Sequence, residues 1–559
     1  MKVVIVGGVA GGASAAARLR RLDEQAEIVV IERSGFVSYA NCGLPYFVGG
    51  VIKERKNLTL QTPQSFKNRF CIDVRVKQEV VSIDRAAHEV EVRRLEDGST
   101  YREGYDKLVL SPGARPIILN VPGVDAERLF TLRTVEDTLA LSDFVAEAQP
   151  KTAAVVGGGF IGIETAENLC ERGIAVTLYQ WDPQVLPILD EDMAHFVHNH
   201  LREKGIDLRL GARVSGFDGD ADGIAVTDAD GSERYDMAVL AVGVLPETTL
   251  AADAGLELGM KGAIVVDEHM LTSDPDIYAV GDAVQVKNYV TQAAAHIALA
   301  GPANKQGRIA ADNICGKDST FDGSLGSSVL KVFDLTVSST GLTCRAAAAA
   351  GIDAGYVLLS PPNHASYYPG SSAIRMKLVF DRANGKVLGA QAIGVDGVEK
   401  RIDVVATAIH GHMDVWDLAE LDLCYAPPFS SAKDPVNMAG FMASNIMDGI
   451  VDQVGWDRAL APAENEVVLD VRTDAEVARG RLDYSIHIPV DSLRDRLGEL
   501  PKDKRILVHC LSGLRSYLAC RILSQHGFDC ANVAGGWAFH QAAVSDVSPI
   551  ARNVGPCGL

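Results

Sequence analysis

Two of the ten cysteines in this 559-residue chain have neighbours that suit sulfur chemistry. Cys42 lies within Ser38–Tyr46, and the Gly-Leu-Pro that follows it predicts the start of a helix. A helix N-terminus favours negative charge, and therefore favours the reactive thiolate. Because no second cysteine stands beside Cys42, a two-electron cycle must draw its other partner from elsewhere. That partner is oxygen, giving a sulfenic acid, or a bound thiol, giving a mixed disulfide or persulfide.

The second cysteine opens a loop between a predicted strand and a predicted helix. An apolar stretch ends in His509 and is followed by the run Cys510-Leu-Ser-Gly-Leu-Arg515. A loop of this kind turns its backbone N–H groups toward the sulfur and stabilises an anionic thiolate or persulfide. We therefore expect sulfur transfer at Cys510, with Arg515 in support. His509 keeps a cysteine phosphatase open as an alternative, since such a cradle also binds oxyanions.

A glycine-rich loop follows the first predicted strand, at 3–6, and opens a helix. Glycine lets the backbone approach a pyrophosphate, and the helix N-terminus supplies amide donors. Glu32, at the end of the next predicted strand, is placed to accept hydrogen bonds from ribose hydroxyls. Valine replaces the middle glycine of the usual G-x-G-x-x-G pattern, so a generic glycine-rich turn is the alternative. The expected nucleotide contacts here are Gly7, Gly8, Val9, Ala10, Gly11, Gly12, Glu32 and Arg33.

The same arrangement recurs from Ala153 to Tyr179, and there the glycine pattern is complete. Gln180 occupies the position where an acid would favour NADH, and no arginine follows at once to hold a 2′-phosphate. The sequence therefore favours NADH and leaves NADPH open. The expected contacts of this second loop are Gly157, Gly159, Phe160, Ile161, Gly162, Glu164 and Gln180.

These two units, followed by the stretch Thr272–Asp282, resemble the two-dinucleotide flavoprotein reductases. In that family the aspartate of the Gly-Asp pair meets the flavin side of FAD. Two short connecting motifs of the family correspond to Ser111–Ala114 and Val242–Pro246. The resemblance implies bound FAD that is reduced by NADH or NADPH. It adds to the expected cofactor contacts Ser111, Gly113, Gly243, Gly281 and Asp282.

The string Asn41–Tyr46 resembles the single-cysteine coenzyme A disulfide reductases, in which Cys42 would alternate between a thiolate and a mixed disulfide with coenzyme A. The oxidase and peroxidase relatives carry a histidine in the first glycine loop, where this chain has Val9 and Ala10. The two-cysteine reductases carry a C-terminal His-x-x-x-x-Glu pair, for which we find no match in the corresponding stretch of the sequence. These departures favour the coenzyme A group.

The same resemblance implies two further sets of residues. Tyr367 and Tyr425 would reach the cysteine from a partner subunit, with ordinary interface aromatics as the alternative. A pocket for coenzyme A would draw on basic and polar residues near the N-terminus, with a solvated charged face as the alternative. That pocket is expected to contain Ser14, Arg18, Arg21, Ser38 and Asn41.

The motif at Cys510, together with Asp470–Arg472, His487–Pro489 and Gly535–Trp537, resembles rhodanese domains. The expected fold is α/β, with two Rossmann-like FAD- and NAD(P)-binding domains, an α+β dimerisation domain and a C-terminal α/β rhodanese-like domain. The expected bounds are 1–150 and 245–325 for FAD binding, 151–244 for NAD(P)H binding, 326–446 for dimerisation, 447–461 for a linker and 462–559 for the rhodanese-like domain.

Composition excludes several other classes. A net charge of -20 argues against nucleic acid as a partner, and no apolar run has the length of a membrane span. Cysteines without a C-x-x-C pair argue against a disulfide scaffold and a zinc site, so no metal is expected. Cleavage of the Ala-rich start as a signal peptide would destroy the first glycine loop, and we therefore expect a cytoplasmic protein. Cys530 and Cys557 are expected to be structural or incidental.

The resulting hypothesis is a homodimer whose active sites are shared across the interface. NADH reduces FAD, FAD reduces Cys42, and Cys42 reduces coenzyme A disulfide, coenzyme A persulfide or polysulfide, with release of thiol and hydrogen sulfide. Cys510 would carry the sulfane sulfur. The alternatives are an NADH oxidase or peroxidase, a sulfurtransferase with a regulatory flavin domain, and a redox sensor that does not turn over.

Overall fold

The computed structural model describes residues 1–547 and divides the chain into two compact units. The first unit contains residues 1–185 and 205–326, and the second contains residues 186–204 and the chain from 327 onward. Among the described residues, no helix combines the length and the apolar character that crossing a bilayer requires.

The first sheet of the first unit has five parallel strands, and its central strands are rich in valine and isoleucine that are buried on both faces. In spatial order the strands are Ile277–Ala279, Lys107–Leu110, Lys2–Val6, Glu27–Glu32 and Asp73–Val76. The helix Ala10–Leu22 packs tightly against the helix Ala300–Ile314. A Cβ atom on Gly307 would lie only 2.3 Å from the Gly11 carbonyl oxygen, so glycine is required at this crossing.

The second sheet also has five parallel strands, and the helix Phe160–Glu171 follows its central strand. In spatial order the strands are Asp207–Leu210, Ala175–Gln180, Thr152–Val156, Met237–Leu240 and Leu129–Thr131. Since Leu129–Thr131 pairs with Met237–Leu240, this part of the predicted segment 1–150 contributes to the second sheet. The two repeated strand–loop–helix–strand units are present where the sequence predicts them.

Smaller elements complete the first unit. The antiparallel strands are Gln78–Asp84, Glu89–Arg94 and Thr100–Gly104, then Gly216–Asp220, Gly223–Asp228 and Gly231–Tyr235. The short strands are Ala114–Pro116 with Val244–Pro246, and Ile264–Val265 with Val284–Lys287 and Ala294–Ala295. The remaining α-helices are Leu44–Val48, Pro63–Phe70, Val135–Ala148 and Thr249–Asp253. Capping boxes at Thr62 and Thr134 begin two of them.

The second unit begins with a five-stranded antiparallel sheet, as expected for an α+β domain. In spatial order its strands are Ser328–Val332, Leu335–Gly341, Val387–Gly394, Arg375–Asp381 and Ala354–Leu359. The helices are Cys344–Ala349, Val398–His410, Val415–Glu420 and Pro435–Met447. The buried Arg401 on the second of these bonds to Asp434 at 3.0 Å, which ties two helices together.

The C-terminal sheet has five parallel strands. In spatial order they are Asp452–Val454, Cys530–Val533, Arg505–His509, Glu466–Asp470 and Ile486–His487. Its helices are Trp456–Leu460, Asp474–Val477, Leu514–Gln525 and Gly536–Val547. The prediction of a linker at 447–461 is therefore wrong for most of its length, because Val454 pairs in register with Val533 and the Trp456 ring stacks on His540.

The helix Glu191–Glu203 belongs to the second unit, although the sequence assigns it to the NAD(P)H-binding segment. It packs against the helix Gly536–Val547, where the Phe196 and Phe539 rings meet edge to face at 5.0 Å. Asp546 binds His195 Nδ1 at 2.6 Å and His198 Nδ1 at 2.7 Å. This polar cluster and the aromatic pair explain why the helix groups with the C-terminal sheet.

Candidate active site

Cys42 lies in a single 3-10 turn, Asn41–Gly43, immediately before the helix Leu44–Val48. The predicted helix start after this cysteine is confirmed. Cys42 is a free thiol that reaches the surface of the chain. Cys42 therefore has no covalent partner in the described part of the chain, as the predicted single-cysteine chemistry requires.

The short helix after Cys42 is held against the helix Phe160–Glu171. Tyr46 Oη donates a hydrogen bond to Glu164 Oε1 at 3.2 Å, and Arg172 Nη1 donates to the Val48 carbonyl at 2.9 Å. A Cβ atom on Gly49 would lie 2.0 Å from Asn168 Oδ1, so glycine permits this close approach. The cysteine is thus positioned by the helix that follows the second glycine loop.

The charges around Cys42 oppose its ionisation. Burial raises the pKa of the Cys42 thiol, the carboxylates of Glu164 and Asp282 raise it further, and Arg133 acts in the opposite direction. The sequence led us to expect that the helix dipole would favour the Cys42 thiolate. The charges of the surrounding residues instead raise the pKa of the thiol. The helix after Cys42 is only five residues long, so its dipole is small.

Glu164 has a perturbed acidity of its own. Burial raises the pKa of its carboxyl to about 7, and the neighbouring Glu167 adds to the rise. The hydrogen bond from Tyr46 favours the carboxylate and opposes both effects. Glu164 is therefore divided between its acid and carboxylate forms near neutral pH, within electrostatic range of Cys42.

Arg133 is a residue of this site that the sequence did not reveal. Its Nη1 donates to Asn41 Oδ1 at 3.1 Å, its Nε donates to the Ala114 carbonyl at 2.9 Å, and its Nη2 lies 4.0 Å from Asp282 Oδ2. The guanidinium thus joins the turn before Cys42 to the expected flavin-side aspartate. No local motif marks Arg133, because its partners lie far away in the sequence.

The first glycine loop fits a dinucleotide. Gly8 N donates to Glu32 Oε2 at 2.8 Å, and a Cβ atom on Gly12 would lie 1.9 Å from the Gly7 carbonyl oxygen. The helix that begins at Ala10, next to Val9, has no side-chain cap, so its first amides remain available for phosphate oxygens. A Cβ atom on Gly11 would meet Ser111 Oγ and Val280. Gly281 N donates to Gln306 Oε1. Arg33 follows the second strand and is exposed.

The second glycine loop repeats this construction. Gly158 N donates to Gln180 Oε1 at 2.8 Å, the contact that Glu32 makes in the first loop. The helix Phe160–Glu171, with Ile161 in its first turn, has no side-chain cap, and the space around a Cβ atom on Gly159 is open. Gly157 and Gly162 lie too close for side chains, and Gly243 has a positive φ of 108°. Both loops therefore fit dinucleotides, and their individual contacts stay predictions.

The residues expected to bind coenzyme A already have hydrogen-bond partners within the chain. Arg18 Nε donates to Asp312 Oδ1 at 2.7 Å, Arg21 Nε donates to the Ala17 carbonyl at 2.9 Å, and Ser14 Oγ donates to Asn304. Ser38 N donates to the Gly8 carbonyl at 2.8 Å. A phosphate bound at Arg18 would have to share the guanidinium with Asp312. This pocket stays a prediction.

Tyr367 and Tyr425 are brought together in the second unit. Their hydroxyl oxygens lie 2.8 Å apart, and the two side chains are 74% and 47% exposed. Each hydroxyl is therefore a hydrogen-bonding group on the surface of this unit. Their action on the cysteine of a partner subunit stays a prediction.

The Cys510 loop forms the expected cradle. Gly513 N donates to Cys510 Sγ at 3.1 Å, and Ser516 Oγ lies 3.4 Å from the same sulfur. Gly513 has a positive φ of 102°, which turns its amide inward. Trp537 N donates to the Cys510 carbonyl at 2.7 Å, so the predicted Gly535–Trp537 motif anchors the loop.

Arg515, beside this cradle, forms an ion pair with Glu476. Its Nη1 and Nη2 donate to the two carboxylate oxygens of Glu476, at 2.7 Å and 2.6 Å. Thr473 N and Thr473 Oγ1 each donate to Glu476 Oε2 at 2.9 Å, so a capping box holds the carboxylate in place. The Thr-x-x-Glu spacing predicts a helix start in the sequence, but it does not reveal the pair with Arg515.

Behind the cradle, the other predicted motif residues converge on an aromatic cluster. The buried Arg472 donates hydrogen bonds from Nε and Nη2 to the Asp470 carboxylate and lies 4.2 Å from the Trp537 ring centroid. The His509 ring stacks on Trp537 at 5.8 Å, and burial lowers its pKa to about 4. A neutral histidine packed in the core gives no support to a phosphatase. Cys530 Sγ donates to the Cys520 carbonyl at 3.4 Å, consistent with a structural role, and Cys557 lies outside the described residues.

The folds and both sites define a flavoprotein reductase with a sulfurtransferase module. The family model of the pyridine nucleotide-disulphide oxidoreductases matches residues 1–307, that of their dimerisation domain matches 327–435, and that of the rhodanese-like domain matches 456–542. The chain belongs to the pyridine nucleotide-disulphide oxidoreductase family. Membership implies FAD and NAD(P)H as cofactors, and both glycine loops fit them.

Two solved structures match nearly the whole chain, and a curated relative matches four fifths of it. The structure of reduced CoADR-RHD from Bacillus anthracis is 47% identical, with a TM-score of 0.95 and 98% of each chain covered. The NAD-dependent persulfide reductase from A. fulgidus is 40% identical, with a TM-score of 0.91, covering 96% of this chain and 100% of that one. The coenzyme A disulfide reductase of Staphylococcus haemolyticus is 35% identical over 80% of this chain and 100% of that protein. These matches confirm the predicted fold class and resemblance.

Proposed function

We propose that the protein is an FAD-dependent, NADH-driven reductase of coenzyme A disulfide, coenzyme A persulfide or polysulfide. It releases thiol and, from persulfides, hydrogen sulfide, while the rhodanese-like domain handles sulfane sulfur at Cys510. The observation that carries the proposal is the free thiol of Cys42 in its turn beside Arg133, Asp282 and the helix of the second glycine loop. The relatives named for coenzyme A disulfide and persulfide reduction support the substrate class.

Each residue of the Cys42 site has a distinct task. Cys42 attacks one sulfur of the substrate, which breaks the S–S bond and expels a thiolate as a mixed disulfide or persulfide forms. Bound FAD would supply the electron pair, taken from NADH, that restores the Cys42 thiol. Glu164 holds a proton at its carboxyl near neutral pH, and Arg133 fixes Asn41 beside the cysteine. The reaction consumes a proton at this site, which Glu164 is placed to hold.

The finer features of the proposal rest on several observations. Gln180 without a following arginine favours NADH over NADPH. A homodimer with Tyr367 and Tyr425 reaching the partner's cysteine is supported by the match to the dimerisation-domain model and by the exposed tyrosine pair. Coenzyme A would bind along the face that carries Ser14 and Arg18. A reducing, cytoplasmic compartment would keep Cys42 free.

The second candidate is an NADH oxidase. The water-forming NADH oxidase from Lactobacillus brevis is 29% identical, with a TM-score of 0.77, covering 80% of this chain and 99% of that one. An oxidase would consume NADH with oxygen alone and would not need Cys510. Val9 and Ala10 replace the loop histidine that the oxidase relatives carry, which favours the reductase.

The deciding experiment measures NADH consumption by the holoenzyme with coenzyme A disulfide, coenzyme A persulfide, polysulfide or oxygen. We expect Cys42→Ser to abolish the reduction of all three sulfur substrates and Cys510→Ser to spare coenzyme A disulfide. Cys71→Ser, at another exposed cysteine, is the matched control and should retain full activity. If Cys42→Ser reduced coenzyme A disulfide or persulfide as fast as the wild type, the proposal would be rejected.

A further inference from the structure

The Cys510 loop holds its only charged residue in an ion pair. Arg515 is the one charged side chain between Cys510 and Ser516. Both of its terminal nitrogens are bound by the Glu476 carboxylate, at 2.7 Å and 2.6 Å. A bidentate pair of this kind occupies one of the two edges of the guanidinium that can bind an oxyanion. The positive charge that Arg515 presents to an anionic sulfur donor is therefore offset by a carboxylate.

Glu476 is fixed and charged. The capping box of the helix Asp474–Val477 adds two hydrogen bonds from Thr473 to the same carboxylate. The hydrogen bonds from Arg515, followed by those from Thr473, lower the pKa of Glu476 to about 2. Its negative charge therefore persists at every physiological pH. A donor with a sulfonate group would therefore meet an arginine whose positive charge is already offset by a carboxylate.

The rim of the cradle is apolar. Leu511 is 41% exposed, Leu514 is 62% exposed and Leu518 is 47% exposed. Leu514 and Leu518 stand four residues apart on the helix Leu514–Gln525 and so share one face. The Gly513 amide and the Ser516 hydroxyl serve the sulfur itself. The site therefore offers donors for one anionic sulfur and apolar contact for the chain that carries it.

We propose that Glu476 is a specificity-determining residue that reserves Cys510 for persulfides borne on an organic thiol and disfavours thiosulfate. This inference rests on the proposed function, because it specifies which donor supplies the sulfane sulfur that the rhodanese-like domain handles. The Cys510 thiolate attacks the outer sulfur of R–S–SH and the S–S bond breaks. R–S⁻ leaves with the bonding electron pair, and Cys510 becomes a persulfide. Atoms and charge balance without an external oxidant or reductant.

The experiment follows sulfur loading of Cys510 in the full-length holoenzyme without NADH. The donors are N-acetylcysteamine persulfide, which is uncharged apart from its sulfur, and thiosulfate. The mass of the alkylated peptide that contains Cys510 reports the added sulfur atom. We expect the wild type to load at least about tenfold faster from the persulfide than from thiosulfate, because the Glu476–Arg515 pair leaves no net positive charge to bind the sulfonate, a group that the persulfide lacks.

Glu476→Gln should raise loading from thiosulfate by about tenfold and leave loading from the persulfide nearly unchanged. Glu499→Gln is the matched control, because Glu499 forms the same bidentate pair with Arg496 at 2.7 Å elsewhere in this domain. It should leave the donor ratio unchanged. Leu511→Arg keeps the capping box intact and adds a free cation at the rim, so it should raise thiosulfate loading independently.

Two results would overturn the inference. One is equal loading of the wild type from both donors, and the other is an unchanged donor ratio in Glu476→Gln while Leu511→Arg shows that the cradle can still respond to an added cation. Loading requires neither NADH nor Cys42. If the wild type failed to reduce persulfides with NADH but still loaded Cys510 with the expected donor ratio, the proposed function would be rejected. The role of Glu476 would still stand.

Discussion

The two sulfur sites of this chain are built from opposite surroundings. Cys42 lies in a single turn near Glu164 and Asp282, whose carboxylates raise the pKa of its thiol. Cys510 is buried at the end of a strand, where the Gly513 amide and the Ser516 hydroxyl are directed at its sulfur. One sulfur is surrounded by acceptors of protons and the other by donors of hydrogen bonds.

The difference suits the two kinds of chemistry. In the proposed reaction, Cys42 expels a reduced product that takes up a proton, and the Glu164 carboxyl, with a pKa of about 7, can hold that proton. A sulfur that carries sulfane sulfur must hold a negative charge, and amide donors favour it. The contrast shows that the two cysteines differ in the groups that face them and not only in their exposure.

The largest expected effect breaks one site and spares the other. Asp470→Asn leaves the buried Arg472 without its carboxylate behind the Cys510 cradle, which should cost about 3–5 kcal/mol of local stability. Pulse proteolysis with peptide mapping should show cleavage of the C-terminal sheet at lower urea. Coenzyme A disulfide reduction at Cys42 should persist.

The control for that variant is Asp529→Asn, since Asp529 is 71% exposed and lies 3.7 Å from Arg505. Its removal should change stability by no more than about 1 kcal/mol. Equal cleavage patterns for the two variants would show that the buried pair does not hold the cradle.

A smaller change sharpens the description of the cradle. Ser516→Ala removes the hydroxyl that lies 3.4 Å from the Cys510 sulfur and should slow persulfide loading of Cys510 by about tenfold, because one donor to the anionic sulfur is lost. Loading is measured by the mass of the alkylated peptide. Ser512→Ala, in the same loop, should load at the wild-type rate, and an equal loss in both variants would contradict the assignment.

The sequence predicts the local parts of this molecule well. Both glycine loops, the turn at Cys42 and the loop from Cys510 to Arg515 are encoded by short runs of residues whose spacing fixes the backbone. The same locality explains the error at 447–461, where glycines are typical of a linker. The pairing of Val454 with Val533, far along the chain, makes that segment an edge strand instead.

The contacts that set the surroundings of each sulfur could not be predicted from local sequence patterns. Arg133 reaches Asn41, Tyr46 reaches Glu164 and Glu476 reaches Arg515 across long stretches of chain. A local pattern can place each residue on an element but cannot pair two elements. Glu164 illustrates the limit, because its place in the second glycine loop predicted a cofactor contact and gave no sign of its link to Cys42.

The charge comparison can be tested directly at Cys42. Glu164→Gln removes a negative charge that raises the pKa of the Cys42 thiol, so this pKa should fall by on the order of 1 pH unit. The measurement is the pH dependence of alkylation of Cys42 by iodoacetamide in the oxidised holoenzyme. Glu171→Gln, at an exposed position of the same helix, is the control. An unchanged or higher pKa in Glu164→Gln would contradict the assigned charge effect.

The smallest expected effect concerns the proton on Glu164. The Tyr46 hydroxyl donates to the carboxylate and favours its charged form, so Tyr46→Phe should raise the pKa of Glu164 above its value of about 7, by about half a pH unit. Infrared difference spectra can follow the carbonyl band of the protonated acid, which Glu164→Gln identifies by its absence. Tyr105→Phe, a tyrosine near other carboxylates, should not move this band.

A double variant separates this effect from general disturbance of the turn. If Tyr46 acts on Cys42 through Glu164, Tyr46→Phe should shift the pH dependence of Cys42 alkylation in the wild type. It should add no shift in the Glu164→Gln background. An equal shift in both backgrounds would mean that Tyr46 acts on the cysteine by packing alone. In that case Glu164 and Asp282 would act on Cys42 as two independent carboxylates. The Tyr46–Glu164 pair would then play no part in what distinguishes this site from the amide cradle of Cys510.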